Sequence, residues 1–208
     1  MKTRYIFDLD GTLLHGNFDE SDKYFEDIYG EQAHILTENM GNYLNRYERT
    51  YPKYDFDTLS KYLSLKSGLE ISPKVVKDWA YEIGNVLDFK EDELIEVLES
   101  LKSSKKSLAV LTNWFGISQI PRLERAGIID YFDNIYTGDQ MLKPHKAAYL
   151  RSAKGFNPKE VVFIGDNVDF DYIGPKSCGY DAILYDKEDI EHETIQKVKR
   201  IKEVLNIE

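Results

Sequence analysis

The second half of the chain alternates between two hydrophobic patterns. Short, continuous apolar runs, such as SLAVL at 107–111 and VVFIG at 161–165, are typical of strands buried on both faces. From Val86 onward, such runs alternate with segments of helical spacing, and this predicts strand and helix units that form a parallel sheet covered on both faces, a doubly wound α/β fold. One of the helical faces is formed by Leu94, Val97, Leu98 and Leu101.

The remaining elements of this region follow from the same patterns. ISQIPRLERAGI predicts a helix that stops near Gly127, NIYTG predicts a short strand, and a further helix is expected from about His145 to Lys154. DAILYD is the expected final strand, and a C-terminal helix is predicted over about Thr194 to Leu205.

The first apolar run, YIFDLDGTLL, contains two acidic residues. A strand alternates its side chains between two faces, so its apolar residues can anchor the run in a core while Asp8 and Asp10 lie together at its carboxyl end. Two neighbouring carboxylates repel each other unless a cation lies between them, and Mg²⁺ prefers oxygen ligands. The segment therefore predicts a magnesium site. A strand and turn in which both aspartates only cap the backbone is the alternative.

Polar residues also follow the other expected strands. Thr112 and Asn113 follow the second strand, Lys143 lies in the loop after the third, and Asp166 ends the fourth. In open α/β sheets, ligands bind outside the carboxyl ends of the strands, near the point where the strand order reverses. Four separate segments are thus expected to converge on one crevice.

The stretch from about Asn17 to Leu87 has a different character. It contains several amphipathic helical patterns but no convincing buried strand, and Pro52, Gly68 and Pro73 fit the turns between helices. We therefore predict an inserted all-helical subdomain at 17–87, with residues 1–16 and 88–208 forming the α/β core. The apolar positions of the insert include Leu36, Met40, Tyr43, Leu44, Tyr47, Leu59, Tyr62, Leu63, Val75, Val76, Trp79 and Ile83.

Composition narrows the class of partner. The formal charge is −10, which argues against nucleic acid or an anionic membrane surface as a partner, because both attract clustered Lys and Arg. Cys178 is the only cysteine and cannot form an internal disulfide, and no segment is long and apolar enough for a membrane helix. We expect a cytoplasmic protein, and the sequence leaves its oligomeric state open.

The DLDGT, LTN, LKP and GDNVDFD segments, in that order and spacing, resemble the four motifs of the haloacid dehalogenase superfamily, whose members are mostly phosphatases. The resemblance implies that Asp8 is a nucleophile that forms an aspartyl phosphate. It implies that Asp10 is the general acid and base and that its backbone carbonyl helps to hold Mg²⁺. In this family, the insert would be a helical cap.

The other motifs carry further roles implied by the resemblance. The Thr112 hydroxyl and the backbone N–H of Asn113 would bind a phosphate oxygen, although a helix cap is the alternative for this pair. Lys143 would neutralise the charge shared by the nucleophile and the phosphoryl group. Asp166 would bind Mg²⁺ through its side chain. The second acid of the fourth motif aligns best with Asp171, and Asp169 stays open as the alternative.

These roles predict a Mg²⁺-dependent phosphatase that acts on a small phosphorylated metabolite. Two alternatives are a phosphomutase with the same motifs and a non-catalytic phosphate-binding module. Dehalogenases of the family lack the second aspartate, so Asp10 argues against cleavage of carbon–halogen bonds. Substrate choice is expected to lie in the cap. Trp114 and Phe115 either line the pocket or pack beneath the cap. Arg46 and Arg49 are spaced to meet a substrate anion, but the commoner alternative, a solvated helix face, is expected for them.

Overall fold

The computed structural model describes residues 1–187 and 195–207, and the side chains of all of these except 19–22. The described strands are β1 Arg4–Phe7, β2 His15–Gly16, β3 Asp88–Phe89, β4 Ser107–Leu111, β5 Asn134–Tyr136, β6 Val161–Gly165, β7 Asp181–Tyr185 and β8 Lys197–Val198. The described α-helices are α1 Asp19–Tyr29, α2 His34–Thr37, α3 Met40–Thr50, α4 Phe56–Ser67, α5 Pro73–Gly84, α6 Leu94–Ser103, α7 Gly116–Arg125, α8 Lys146–Ser152 and α9 Gly174–Ser177.

Six of these strands form one parallel sheet in the order β5-β4-β1-β6-β7-β8. The strand order reverses at β1, which lies between β4 and β6. Strands β4 and β5, on one side of β1, precede β6, β7 and β8, on the other side, in the sequence. The two remaining strands, β2 and β3, pair with each other in antiparallel fashion.

Alternation of side chains along β1 supplies both faces of this sheet. Tyr5 and Phe7 pack on the side covered by α6 and α7, whereas Ile6 packs on the side of α8. Both faces are covered, which explains why the strands are continuous apolar runs rather than alternating ones. The predicted doubly wound fold is confirmed.

Helices α1 to α5 lie between β2 and β3 in the sequence. They share a second core, in which Trp79 of α5, Tyr47 of α3 and Leu59 of α4 are buried. The antiparallel pairing of β2 with β3 brings the start and the end of this helical insert together, because His15 lies opposite Phe89 and Gly16 opposite Asp88. The predicted division into a core and a cap at residues 17 and 87 remains a prediction.

The C-terminal helix predicted over 194–205 is wrong for the residues that the structure describes. Lys197 and Val198 form β8 and pair in parallel with Leu184 and Tyr185, and a 3₁₀ helix follows at Ile201–Asn206. The short strand satisfies backbone groups at the edge of the sheet. Ile201 and Val204, three residues apart, are the buried positions of a 3₁₀ turn. Thr194 lies outside the described residues.

Among the residues that the structure describes, no helix is long and apolar enough to span a membrane.

Packing of α6 against the sheet gives a test of the core. Leu98 is fully buried there, so Leu98→Ala removes apolar contacts and leaves a cavity, and we expect a loss of about 2–5 kcal/mol in the free energy of unfolding. Leu65, in α4, is 80% exposed and is the matched control; Leu65→Ala should change stability by no more than about 0.5 kcal/mol. Urea unfolding measures both. Equal losses in the two variants would contradict the placement of α6.

Candidate active site

The carboxyl ends of the three central strands lie side by side. Phe7 of β1 is in register with Val110 of β4 and with Ile164 of β6. Asp8 therefore leaves β1 next to the ends of the two neighbouring strands. The convergence predicted from the sequence follows from this register.

Gly11 is required by the turn that follows β1. Its φ of +75° lies in the left-handed region, which side chains other than that of glycine rarely adopt. A Cβ at this position would also lie 2.2 Å from Oδ2 of Asp166. The absence of a side chain therefore lets Asp166 approach the first motif.

The ammonium group of Lys143 lies between two carboxylates. Its Nζ donates to Oδ1 of Asp8 at 2.7 Å and to Oδ1 of Asp171 at 2.6 Å. The lysine side chain is 3% exposed, and those of Asp8 and Asp171 are 10% and 4% exposed. The buried charges are thus paired and hydrogen-bonded, which is the condition for keeping them away from water.

A turn of π-helix at 168–173 brings Asp171 into the site. Oδ2 of Asp171 accepts from the backbone N–H of Asn167 at 3.1 Å, and its carboxyl group packs on Gly165, where a Cβ would lie 2.3 Å from its Cγ. Asp169 instead points outward and forms an exposed ion pair with Arg49. The structure therefore brings Asp171, and not Asp169, to the cluster.

Three carboxylates form a cluster here, and two of them contact the ammonium group. Oxygen atoms of Asp8, Asp166 and Asp171 all lie within 4.8 Å of one another. Desolvation raises the pKa of Asp8 well above its usual value, although Lys143 acts in the opposite direction. The pKa of Asp166 is raised to about 6, because its carboxyl group is desolvated and lies near Asp171, even though the residue as a whole is exposed. The cluster has more negative than positive charge and suits a divalent cation with oxygen ligands.

Asn113 fixes the backbone of Lys143. Its Oδ1 accepts from the Lys143 N–H at 2.9 Å, and its Nδ2 donates to the Lys143 carbonyl at 3.1 Å. The neighbouring Thr112 is buried, and its hydroxyl donates to the Asn113 carbonyl at 2.9 Å and accepts from Nε2 of Gln119 at 2.9 Å. Both residues lie at the end of β4, as the sequence predicted.

The Asp10 side chain is not part of the three-carboxylate cluster. Its Oδ2 accepts from Nε2 of Gln119 at 2.7 Å, and its Oδ1 lies 2.7 Å from Nη2 of Arg122. Arg122 is fully buried and also binds both carboxylate oxygens of Asp88 at 2.7–3.2 Å. A metal contact through the backbone carbonyl of Asp10 remains a prediction.

Gln119 and Arg122 are site residues that the sequence reasoning missed. Gln119 also accepts from Nη1 of Arg122 at 2.7 Å, so the two side chains form one network with Asp10. The sequence signal for these two residues is the helical spacing of the buried positions. The buried positions of α7 are Gly116, Ser118, Gln119, Arg122 and Leu123, and polar residues replace apolar ones on this face.

Aromatic side chains join the helical insert to the core. Trp114 packs edge-on against Tyr54 at 5.0 Å and Trp79 at 4.7 Å between ring centroids, and Phe115 stacks on Phe56 at 4.2 Å. Both Trp114 and Phe115 thus pack beneath the insert, and Trp114 also lines a cavity there.

Two adjoining cavities meet at this junction. The first, of about 250 Å³, is polar and is lined by the acidic cluster, Lys143 and the end of β4. The second, of about 350 Å³, lies between insert and core and is lined mostly by apolar side chains, among them Met40, Leu44 and Trp79. Asp10, Asn113 and Glu48 line both cavities.

Comparison with known proteins indicates the family of the chain. The family model of haloacid dehalogenase-like hydrolases matches residues 4–179. The glyceraldehyde 3-phosphate phosphatase of Methanocaldococcus jannaschii is 29% identical over 194 residues, which cover 84% of this chain and 80% of that protein. The chain therefore belongs to the haloacid dehalogenase-like hydrolases.

Two further similarities are less informative about chemistry. The ribulose-1,5-bisphosphate 5-phosphatase of Halopiger xanaduensis is 28% identical over 95 residues, and the match covers 44% of this chain but only 40% of the relative. The structure of the L-2-haloacid dehalogenase from Xanthobacter autotrophicus superposes with a TM-score of 0.72 at 18% identity, covering 99% of this chain and 98% of that one. Such a structural likeness shows the shared fold.

The buried network of Arg122 predicts a large effect on stability. Arg122→Met leaves Asp10 and Asp88 without their buried cation, and we expect a loss of about 3–5 kcal/mol in the free energy of unfolding. Arg125, half-exposed and 3.7 Å from Asp88, is the matched control, and Arg125→Met should cost less than about 1 kcal/mol. Urea unfolding compares the two. Similar losses would show that the arginine network does not stabilise the protein as described.

Proposed function

We propose that the protein is a Mg²⁺-dependent phosphatase that hydrolyses a small phosphorylated metabolite through an aspartyl-phosphate intermediate. The observation that carries this proposal is the contact between Lys143 and Asp8, with Asp166 and Asp171 within 4.8 Å of the Asp8 oxygen. A nucleophilic carboxylate needs nearby positive charge to meet an anionic phosphoryl group, and this arrangement supplies it.

The donor set fits Mg²⁺. Asp8 and Asp166 offer carboxylate oxygens, and the backbone carbonyl of Asp10 is predicted to add a further oxygen ligand. Asp171 would contribute indirectly, through its hydrogen bond with Lys143. When bound, the ion supplies charge neutralisation at the oxygens of the phosphoryl group.

Asp8 and Asp10 would carry out the two chemical steps of the reaction. An oxygen of Asp8 attacks phosphorus, and the bond to the leaving oxygen breaks as Asp10 donates a proton to it. Asp10 then takes a proton from the water that attacks the aspartyl phosphate, which releases phosphate and restores Asp8. The Thr112 hydroxyl and the backbone N–H of Asn113 would hold a phosphoryl oxygen. The Asn113 side chain is bound to Lys143, so it is the backbone of Asn113 that we assign to this role.

The surroundings of Asp10 support phosphoryl transfer over dehalogenation. Gln119 and Arg122 fix the Asp10 carboxylate beside the cavity that would hold the leaving group. Breaking a P–O bond needs a proton for the leaving oxygen, whereas halide leaves as a stable anion. The glyceraldehyde 3-phosphate phosphatase that matches most of the chain also supports a small phosphorylated substrate. We propose residues 17–87 as the cap over that substrate.

The activity is tested by phosphate release from a panel of phosphorylated metabolites and p-nitrophenyl phosphate, with and without Mg²⁺. Turnover should require Mg²⁺ and should be abolished in Asp8→Asn, because an amide is not a nucleophile toward phosphorus. Asp169→Asn is the matched control: it removes the same charge from an exposed side chain and should keep most of the activity.

Two outcomes would contradict the phosphatase assignment. Chloride release from 2-chloropropionate without phosphate release would indicate a dehalogenase. Conversion of a sugar phosphate to its isomer without release of phosphate would indicate a mutase.

The metal site is tested by thermal unfolding of EDTA-treated protein titrated with Mg²⁺. A ligand that binds only the folded state stabilises it by about 2.7 kcal/mol at a hundredfold excess over its Kd, so the wild-type melting temperature should rise with Mg²⁺. Asp166→Asn should lose this rise because it removes a proposed ligand, and Asp169→Asn should retain it. Equal rises in both variants would overturn the ligand role of Asp166.

A further inference from the structure

Glu48 is the one acidic residue of the described helical insert that lines the boundary between the two cavities. It comes from the carboxyl-terminal turn of α3 and lies across from Asp10 and Asn113 of the core. When the phosphoryl group of a substrate is bound at Lys143, a leaving group that extends into the second cavity lies next to the Glu48 side chain.

The position of Glu48 is fixed by contacts to both the core and the insert. The Tyr54 hydroxyl donates to its Oε1 at 2.7 Å, and Asn113 of the core lies close to the carboxylate. Its backbone carbonyl lies 2.8 Å from Nε2 of His145, in the loop that follows Lys143. Tyr54 is held in turn by its N–H, which donates to the carbonyl of Gly138 at 2.7 Å.

The charge of Glu48 is only partly compensated. The Tyr54 hydroxyl donates a hydrogen bond to it, so the carboxylate acts as an acceptor, and burial raises its pKa. The described residues give Glu48 no salt-bridge partner within 4.0 Å; Lys143 and Arg49 act on it only from a distance. A half-buried carboxylate of this kind favours a hydrogen-bond donor or a cation in the neighbouring space and repels another anion.

Apart from Glu48, Asp10, Asn113 and Tyr54, the lining of the second cavity is apolar. Met40, Leu44, Trp79 and Trp114 contribute to its lining, and its volume of about 350 Å³ is near the lower end of ligand pockets, which hold roughly 300–1,000 Å³. Such a space accepts a small leaving group with an apolar face.

We propose that Glu48 is a specificity-determining residue. It selects phosphomonoesters with a neutral or cationic leaving group that presents a hydroxyl or amine donor to the carboxylate. It rejects leaving groups that carry a carboxylate or a second phosphate. The inference rests on the proposed phosphatase function, because it takes the second cavity as the leaving-group site.

Two pairs of substrates that differ mainly in charge test this selection. Glycerol 3-phosphate is compared with 3-phosphoglycerate, and phosphoethanolamine with 2-phosphoglycolate. In each pair, the wild-type kcat/KM for the member without a carboxylate should be higher by about tenfold or more. Glu48→Gln keeps the shape and the acceptor for Tyr54 but removes the charge, so it should reduce this preference by about tenfold, mainly through a lower KM for the carboxylated substrates.

Glu38→Gln is the matched control, because it removes the same charge from an exposed position of the insert and should leave both ratios unchanged. A wild-type protein that hydrolyses both members of each pair equally well would overturn the inference. Equal changes for both members in Glu48→Gln would overturn it as well.

Binding to the Asp8→Asn protein separates this inference from the proposed function. Calorimetric titration with glycerol 3-phosphate and 3-phosphoglycerate measures the same preference without turnover, in Asp8→Asn and in Asp8→Asn combined with Glu48→Gln. A preference that Glu48→Gln removes would support the role of Glu48 even if the wild type released no phosphate from p-nitrophenyl phosphate. Equal affinities would refute it even if the wild type were an active phosphatase.

Discussion

A buried ammonium group shared between carboxylates is the interaction on which the candidate site depends. Lys143 reaches Asp8 from a loop after β5, and Asp171 reaches Lys143 from the turn after β6. Burying charged groups costs free energy unless they are paired and hydrogen-bonded, so three segments that are distant in the sequence must meet in one place. Asn113 adds a fourth segment through two bonds to the Lys143 backbone. The remaining negative charge at Asp166 then makes the same cluster suitable for a divalent cation.

Much of this arrangement could be predicted from the sequence because it depends on local patterns. Continuous apolar runs identify buried strands, and the residues just after them must lie at one edge of a parallel sheet. This reasoning placed Asp8, Thr112, Lys143 and Asp166 in one crevice. The choice between Asp169 and Asp171 needed the structure, because a single π-helical turn decides which of the two side chains points inward.

The features that were missed depend on contacts between distant segments. Gln119 and Arg122 lie on the buried face of α7, where polar side chains are satisfied by Asp10 and Asp88. Their spacing was visible, but their partners are 109 and 34 residues away. The C-terminal segment was predicted as an α-helix, but Val198 joins the sheet through pairing with Tyr185, a contact that the local sequence does not reveal.

The antiparallel pairing of β2 with β3 has an evolutionary consequence. Since the two ends of the helical insert are neighbours, a segment of different length or sequence can be exchanged at this junction without moving the strands of the main sheet. Asp88 restricts the exchange, because Arg122 binds it while also holding Asp10. A replacement segment must therefore return the chain to Asp88. Exchange of the insert can therefore leave the surroundings of Asp10 intact, provided that this single carboxylate stays with the core.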